Sequence, residues 1–403
     1  YNISIKILYR SVTEMNVHEL AKKYEDYMLD LRHYFHMHPE LGLHEENTSK
    51  RIQEELGKMG VPYEVVGNRN VVGKIVGAKP GKALAIRADI DALPMQEEID
   101  WEYKSTVPGV MHACGHDVHA STLLAAAKCL VDIQDSIAGT IYLCFQIAEE
   151  ISGGGPQDIL AYLKAQPGGV DEVIGNHIAG PLPVGVSASK HGSMCACNCQ
   201  WRITVRGVGG HGSRPDRAVD PIRPAAQILT QVTTIPSNYF SPFSPLVISP
   251  CMIHGGTAYN IIPDECYIEG NLRYFHAEDL DKVLDMMGKI AKNTAESFGA
   301  TAKIEKIAYC LPVENDNAVT DKCIKAMEEV GLKYVEMPEE NMGSDDFSFM
   351  TVGVPACYVQ IGAQSTLEGT SSNHHNTKFF LDEKGFLPVV EFFTQYVVDN
   401  YTE

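Results

Sequence analysis

Four short apolar runs constrain the fold more than anything else in the chain: Ala83–Ala88 (ALAIRA), Thr140–Phe145 (TIYLCF), Val173–Asn176 (VIGN) and Ala356–Ile361 (ACYVQI). Each has the length of a strand and is apolar on both sides, the pattern of a strand buried in a mostly parallel sheet. Helix-compatible stretches lie between them, notably 117–131 and 156–166. Parallel neighbours need long crossover connections, so this alternation predicts an α/β fold with helices on both faces of the sheet. Upstream, Leu20, Tyr24, Tyr27 and Leu31 recur at helical spacing, HPELG at 38–42 breaks the pattern, and a second helix is expected over 47–59.

The middle of the chain reads differently. Residues 200–206 alternate as a strand, 221–234 suit a helix with Pro221 near its start, and 246–254 and 266–274 make two more strands. An amphipathic helix follows over 277–298, then a strand over 301–309. The order β-α-β-β-α-β is the split ferredoxin-like unit. Lying between strands of the larger sheet, it is expected as an inserted α+β domain over 197–308. The remainder, 1–196 and 309–403, then forms one discontinuous domain. A chain of 403 residues is too long for one ordinary core, which agrees with two domains.

Charge narrows the partners. Lys and Arg number 33 against 52 Asp and Glu, a formal net charge of −19. Nucleic acid and anionic membranes would be repelled. No apolar run is long enough to span a bilayer, and the start, YNISIKILYRSV, lacks the apolar core and cleavage site of a secretory leader. A cytoplasmic location is expected. Eleven scattered cysteines point to reduced thiols rather than a disulfide framework. Cys195, Cys197 and Cys199 alternate on one face of an extended strand; they lack the C-x-x-C pairs of structural zinc sites, so packing is their expected role.

In an open α/β sheet, ligands bind beyond the carboxyl ends of the strands. The first apolar run leads into Asp89 and Asp91, the second into Glu149 and Glu150, the third into His177. The segment MHACGHDVHA (111–120) precedes a predicted helix and carries three histidines, a cysteine and an aspartate within eight residues. Singly, each has a plainer reading: Glu149-Glu150 as solvated charge, Asp89-x-Asp91 as a cap or turn, Cys114 as a small buried apolar residue. Jointly, they converge on one edge of one sheet. Thiolate, imidazole and carboxylate together suit zinc, manganese, cobalt or nickel better than magnesium or calcium. Of the paired glutamates, one can hold a metal while its neighbour takes a proton from water. Gly115 lets the flanking side chains turn toward one centre.

These motifs resemble the M20 metallopeptidase and amidohydrolase family, in the branch of N-acyl-amino-acid amidohydrolases, hippurate hydrolases and indole-3-acetyl-amino-acid hydrolases. The resemblance rests on RHYFHMHPELGLHEENT (32–48), RADIDALPMQEE (87–98), MHACGHDVHA, FQIAEE (145–150), GVGGHGSRPD (207–216), GGTAYNIIPD (255–264), MGSDDFSFM (342–350) and HHNTKFFLDE (374–383). It implies two divalent ions held by Cys114, His116, Glu150, His177 and His375, the last chosen because Phe379 lies four residues on. Glu149 becomes general base and then general acid. Asp91 falls where the family keeps an aspartate behind the ligands; Asp89, His112, Asp117 and His119 are expected to orient ligands in the same way. In the insertion, His211 is expected to reach a partner subunit's active site and bind the developing oxyanion. Asn260 and Arg273 match positions that hold the substrate carboxylate, with Gly343 and Ser344 lining the same pocket. A homodimer through residues 197–308 follows from the resemblance.

The chain departs from the family pattern at Ile147 and Thr377, where proline is frequent, at Asp345, where glutamate is usual, and at Asp216, where histidine is common. The expected reaction is hydrolysis of the amide bond of an N-acyl-amino acid. The rival readings are a dipeptidase or carboxypeptidase using the same metals, a cysteine amidase with Cys114 as nucleophile, and a non-catalytic metal- or ligand-binding protein.

Overall fold

The large sheet is built from eight strands: β1 (Tyr63–Val66), β2 (Asn70–Val76), β3 (Lys79–Asp89), β4 (Ala138–Gln146), β5 (Glu172–Ala179), β6 (Val186–Ser189), β7 (Lys333–Glu336) and β8 (Ala356–Gly362). Their order is β1-β2-β4-β3-β5-β8-β6-β7. Four neighbouring pairs run parallel, β4-β3, β3-β5, β5-β8 and β6-β7. Three run antiparallel, β1-β2, β2-β4 and β8-β6. The four apolar runs of the sequence are β4, β3, β5 and β8, the contiguous parallel centre, so the predicted mostly parallel α/β sheet is present. The chain passes from β3 to β4 on one side and returns to β5 on the other. That reversal places a ligand crevice at the carboxyl ends of these three strands.

The coordinates are a computed structural model that describes residues 16–337 and 342–402; the leader reading of residues 1–12 lies outside the described residues. Contacts divide them into two compact units. The first takes those up to Met194, those within 314–339 and those from Phe349 on; the second takes Cys195–Val313 and the described part of 340–348. Ser348 Oγ accepts the Leu311 amide at 3.1 Å within the second unit.

In the first unit the helix His116–Asp132 is the buried hub. Its Val118, Leu123, Leu124 and Leu130 side chains are in the core, as are several alanines between them. The helices Glu25–Met37 and Leu387–Tyr401 pack on it. Two helices were expected between residues 17 and 59; the structure has Val17–Lys22, Glu25–Met37 and Glu46–Met59.

The second unit has strands Cys197–Arg206, Leu246–Gly255, Glu265–Tyr274 and Thr301–Tyr309, all antiparallel. Spatially the second, third, first and fourth lie side by side. With helices Ile222–Val232 and Asp279–Ser297 this is the ferredoxin-like βαββαβ arrangement. Cys266, Ile268, Leu272 and Tyr274 alternate onto the buried face. Gly270 sits opposite Trp201, and a Cβ there would come within 2.4 Å of the indole; the buried tryptophan requires that glycine. All eleven cysteines are free, and Cys197 and Cys199 pack in this core. Among the described residues, no helix is long and apolar enough to cross a membrane.

Candidate metal centre

The Cys-Gly-His turn meets the end of β5. Gly115 has φ +101°, and a Cβ on it would lie 2.3 Å from Ile178 Cγ2. Only glycine allows both the left-handed turn and this approach. Cys114 Sγ thereby comes to 3.4 Å from His177 Nε2. His116, the first residue of the buried helix, directs Nδ1 at the Asp91 carbonyl (2.9 Å) and Oδ1 (3.2 Å). Its Nε2 is left facing Glu149 Oε2 and Glu150 Oε1, each at 4.0 Å.

The paired glutamates sit just beyond β4 in a segment without a strand partner. Side chains take its backbone amides one by one. Asn70 Oδ1 accepts Ile147 N–H at 3.0 Å, Glu45 Oε1 accepts Ala148 N–H at 2.8 Å, and the two Asp91 oxygens accept Glu149 N–H at 3.1 Å and Glu150 N–H at 3.0 Å. Ala148 adopts φ +59°, and the bend turns both glutamates toward His116.

Behind the imidazoles runs a fully buried chain of hydrogen bonds. Arg87 donates to Asp89 Oδ2 at 2.6 Å and to Gln146 at 2.7 Å. Asp89 Oδ1 accepts from His119 Nδ1 at 2.5 Å, and His119 Nε2 accepts the Ile178 amide at 2.8 Å. His119 is therefore a strut between β3 and the His177 strand. His177 donates Nδ1–H to the Ile178 carbonyl at 2.8 Å, which leaves Nε2 toward Cys114. Asp117 is engaged by His36 Nδ1 at 2.7 Å and lies 3.3 Å from Arg32 Nε. His112 is buried and neither ring nitrogen has a hydrogen-bond partner among the described residues; burial lowers its pKa to about 4.

Two neighbouring histidines follow β8. His374 spends both nitrogens on backbone: Nδ1 donates to the Cys114 carbonyl at 3.1 Å and Nε2 accepts the Gly180 amide at 3.2 Å. His375, at φ +58°, is anchored by its own amide on the Ala113 carbonyl at 2.8 Å and places Nε2 3.3 Å from Glu150 Oε1.

The structure thus brings together Cys114, His116, Glu149, Glu150, His177 and His375, with Asp89 and Asp91 behind them. Donor atoms of Cys114, His116 and His177 lie within 4.8 Å of one another, and so do those of Cys114, Glu150 and His375. These are two triads sharing one thiol. His116 Nε2 and Glu150 Oε1 are buried without a hydrogen bond of good geometry among the described residues, a costly state for polar atoms that a cation between them would relieve. The donor set fits a borderline divalent ion. Electrostatics agree. Burial opposes charge on the His116 ring, yet Asp89, Cys114 and Asp91 hold its pKa well above the ordinary value. Hydrogen bonds to Cys114 and Glu150 raise His375 to about 10. Burial and the neighbouring His119 and His374 instead hold His177 well below its ordinary value, so its ring stays neutral. Burial, with Glu150, pushes the Cys114 thiol up, opposite to what a thiolate nucleophile requires.

The other expected residues belong to the second unit. His211, exposed, pairs with Ile261 in a two-residue ladder, and its Nδ1 accepts from Ser213 Oγ at 2.9 Å. Asn260 is beside it, its carbonyl taking the Gly212 amide at 2.8 Å. Arg273 is half-buried, and its Nη1 lacks a hydrogen bond among the described residues. Burial lowers its pKa. Ser344 and Arg273 share Cys310 as a neighbour; Gly343 is exposed. Sequence reasoning did not single out Glu45, Asn70, Arg87, Gln146 and His374. Each is one polar residue in an apolar or ordinary context, and no periodic pattern marks it.

A partly buried carboxylate–imidazole–thiol cluster at the switch point of an α/β sheet, with a second glutamate beside it, has the make-up of a metal-dependent hydrolase site. Residues 85–399 match Peptidase family M20/M25/M40, and the chain belongs to that family. It is a metal-dependent amidohydrolase. It is 39% identical over 367 residues to thermostable carboxypeptidase 1 of Saccharolobus solfataricus, covering 90% of this chain and 92% of that protein. It is 32% identical to an N-acetylcysteine deacetylase of Bacillus subtilis, covering 94% and 97%. A solved structure from Bacillus subtilis, described as a dinuclear metal-binding peptidase from the M20 family, superposes with a TM-score of 0.79 at 30% identity, covering 94% of this chain and 98% of that one.

Proposed function

We propose that the protein hydrolyses the amide bond of N-acyl-L-amino acids, with Glu149 as general base and then general acid. The observation that carries this is the pair of donor triads sharing Cys114, with Glu149 beside the unpartnered His116 Nε2. Cys114, His116 and His177 would hold one divalent ion, and Cys114, Glu150 and His375 a second. Zinc, manganese, cobalt or nickel suit this set. Such ions supply Lewis acidity that brings the pKa of water toward neutrality and polarises a carbonyl.

The chain's own groups do the rest. Asp91 holds the Glu149 backbone so that its carboxylate can take a proton from water and later deliver it to the leaving amine. His211 is assigned the developing oxyanion, supplied across a homodimer formed through residues 197–308. Arg273, whose guanidinium has unused donors, is assigned the substrate carboxylate together with Asn260, Gly343 and Ser344. The enzyme is placed in the cytoplasm, where its free thiols stay reduced.

A carboxypeptidase is the second reading, favoured by the 39% identity to the Saccharolobus solfataricus protein so named. Both reactions cut an amide whose amine side bears an α-carboxylate. The test is a panel of acetyl- and benzoyl-amino acids, their amides, free dipeptides and longer peptides, run on metal-loaded and metal-stripped protein. We expect turnover on acyl-amino acids, lost on amidation of the carboxylate and on metal removal. Turnover confined to longer peptides selects the carboxypeptidase. Turnover that survives stripping contradicts both.

A further inference from the structure

The bend at 147–150 carries the chemistry yet has no ladder to hold it. Two of its four amides belong to Asp91; the other two belong to Asn70 and Glu45. We propose that Glu45 and Asn70 are positioning residues for the hydrolytic step, fixing the bend that aims Glu149 and Glu150 without touching the substrate. The functional part rests on the reading of Glu149 as proton carrier.

Four observations point the same way. Ala148 is in the left-handed region at φ +59°, which a residue with a Cβ disfavours; the Glu45 carboxylate on its amide offsets that. Glu45 is wholly buried, and its Oε2 has no hydrogen-bond partner among the described residues. A buried carboxylate oxygen left without a partner costs stability. Asn70, also fully buried, takes the Ile147 amide and donates to the Gly155 carbonyl at 3.2 Å, so one side chain ties the first residue of the bend to the chain beyond it. Packing is close on both sides. A Cβ on Gly42 would lie 3.2 Å from Ala148 Cα, and one on Gly153 would lie 2.6 Å from Ala148 Cβ. With so little room, a change in backbone path at Ala148 is passed on to the glutamates rather than absorbed.

The experiment compares Glu45→Ala, Glu45→Gln and Asn70→Ala with the wild type. Glutamine keeps an acceptor for the Ala148 amide; alanine does not. In the metal-free protein, hydrogen exchange at 147–151 should accelerate in Glu45→Ala and Asn70→Ala, stay near wild type in Glu45→Gln, and be unchanged in the helix His116–Asp132. In the enzyme assayed at saturating metal, Glu45→Ala should lose kcat roughly tenfold or more, with KM nearly unchanged and metal affinity weakened through Glu150, and Glu45→Gln should restore most of both. Unchanged local exchange in both alanine variants overturns the proposal, as does acceleration spread over the whole domain. A kcat loss that is as large in Glu45→Gln as in Glu45→Ala also overturns it. If Glu45→Ala does not fold, Asn70→Ala supplies the same reading through the neighbouring amide. If the wild type cleaves no acyl-amino acid, the proposed substrate fails while the exchange data still decide the positioning.

Discussion

Asp91 Oδ1 accepts the backbone amide of Glu149 at 3.1 Å. Its other oxygen takes the next amide, and its Oδ1 also faces His116 Nδ1 at 3.2 Å. One carboxylate thus sets the proposed proton carrier and two candidate ligands. Asp91→Ala should weaken metal affinity by about 10–100-fold and lower kcat as well, measured by chelator competition and steady-state kinetics. Unchanged affinity would remove Asp91 from the support of the site.

Glu149→Gln should keep the shape of the site and lose the proposed proton carrier. We expect normal metal content by elemental analysis and a fall in kcat of about 10²–10⁴-fold. Full activity in the glutamine variant would take Glu149 out of the mechanism.

The adjacent histidines should behave differently. His375→Ala removes a member of the Cys114–Glu150 triad, so bound metal should drop toward one equivalent. His374→Ala removes two backbone hydrogen bonds and should cost about 2 kcal/mol of unfolding free energy while leaving the metal count intact. Denaturant titration and elemental analysis separate the two; reversed outcomes would swap their roles.

Far from the site, Glu172 anchors the last helix. Its carboxylate accepts from Tyr396 at 2.7 Å and Tyr401 at 3.2 Å and pairs with Lys322. Burial alone would raise its pKa, but Lys322 and the tyrosines outweigh burial and hold it below the usual range. The stability it contributes is therefore present above the unfolded-state pKa of about 4.3 and is lost as the pH falls through the lowered folded value. Glu172→Gln should destabilise the protein by about 2 kcal/mol at neutral pH and flatten the acid limb of a stability-against-pH curve. An unchanged acid limb would contradict this.

The parallel centre of the sheet was legible because strands buried on both sides leave continuous apolar runs, as in 83–88 and 356–361. The edges were not. Three residues of Tyr63–Val66 are exposed, and Val186–Ser189 and Lys333–Glu336 are four residues each, too short for a periodic signal. The ligand-type residues were legible because they cluster after strands, a position with chemical meaning. Their supports were not: Glu45 and Asn70 reach the bend across 103 and 77 residues of sequence, and such long-range contacts leave no local pattern. His374 and His375 look alike in sequence; only the hydrogen bonds of the first distinguish them.

Cobalt(II) titration of the metal-stripped protein, followed by its visible spectrum and by return of amide hydrolysis, tests the centre most directly. We expect two equivalents to bind, a sulfur-to-cobalt charge-transfer band that Cys114→Ser abolishes, and activity that returns as the sites fill. Binding without that band, or hydrolysis by the stripped protein equal to that of the loaded one, would contradict a metal centre built on Cys114.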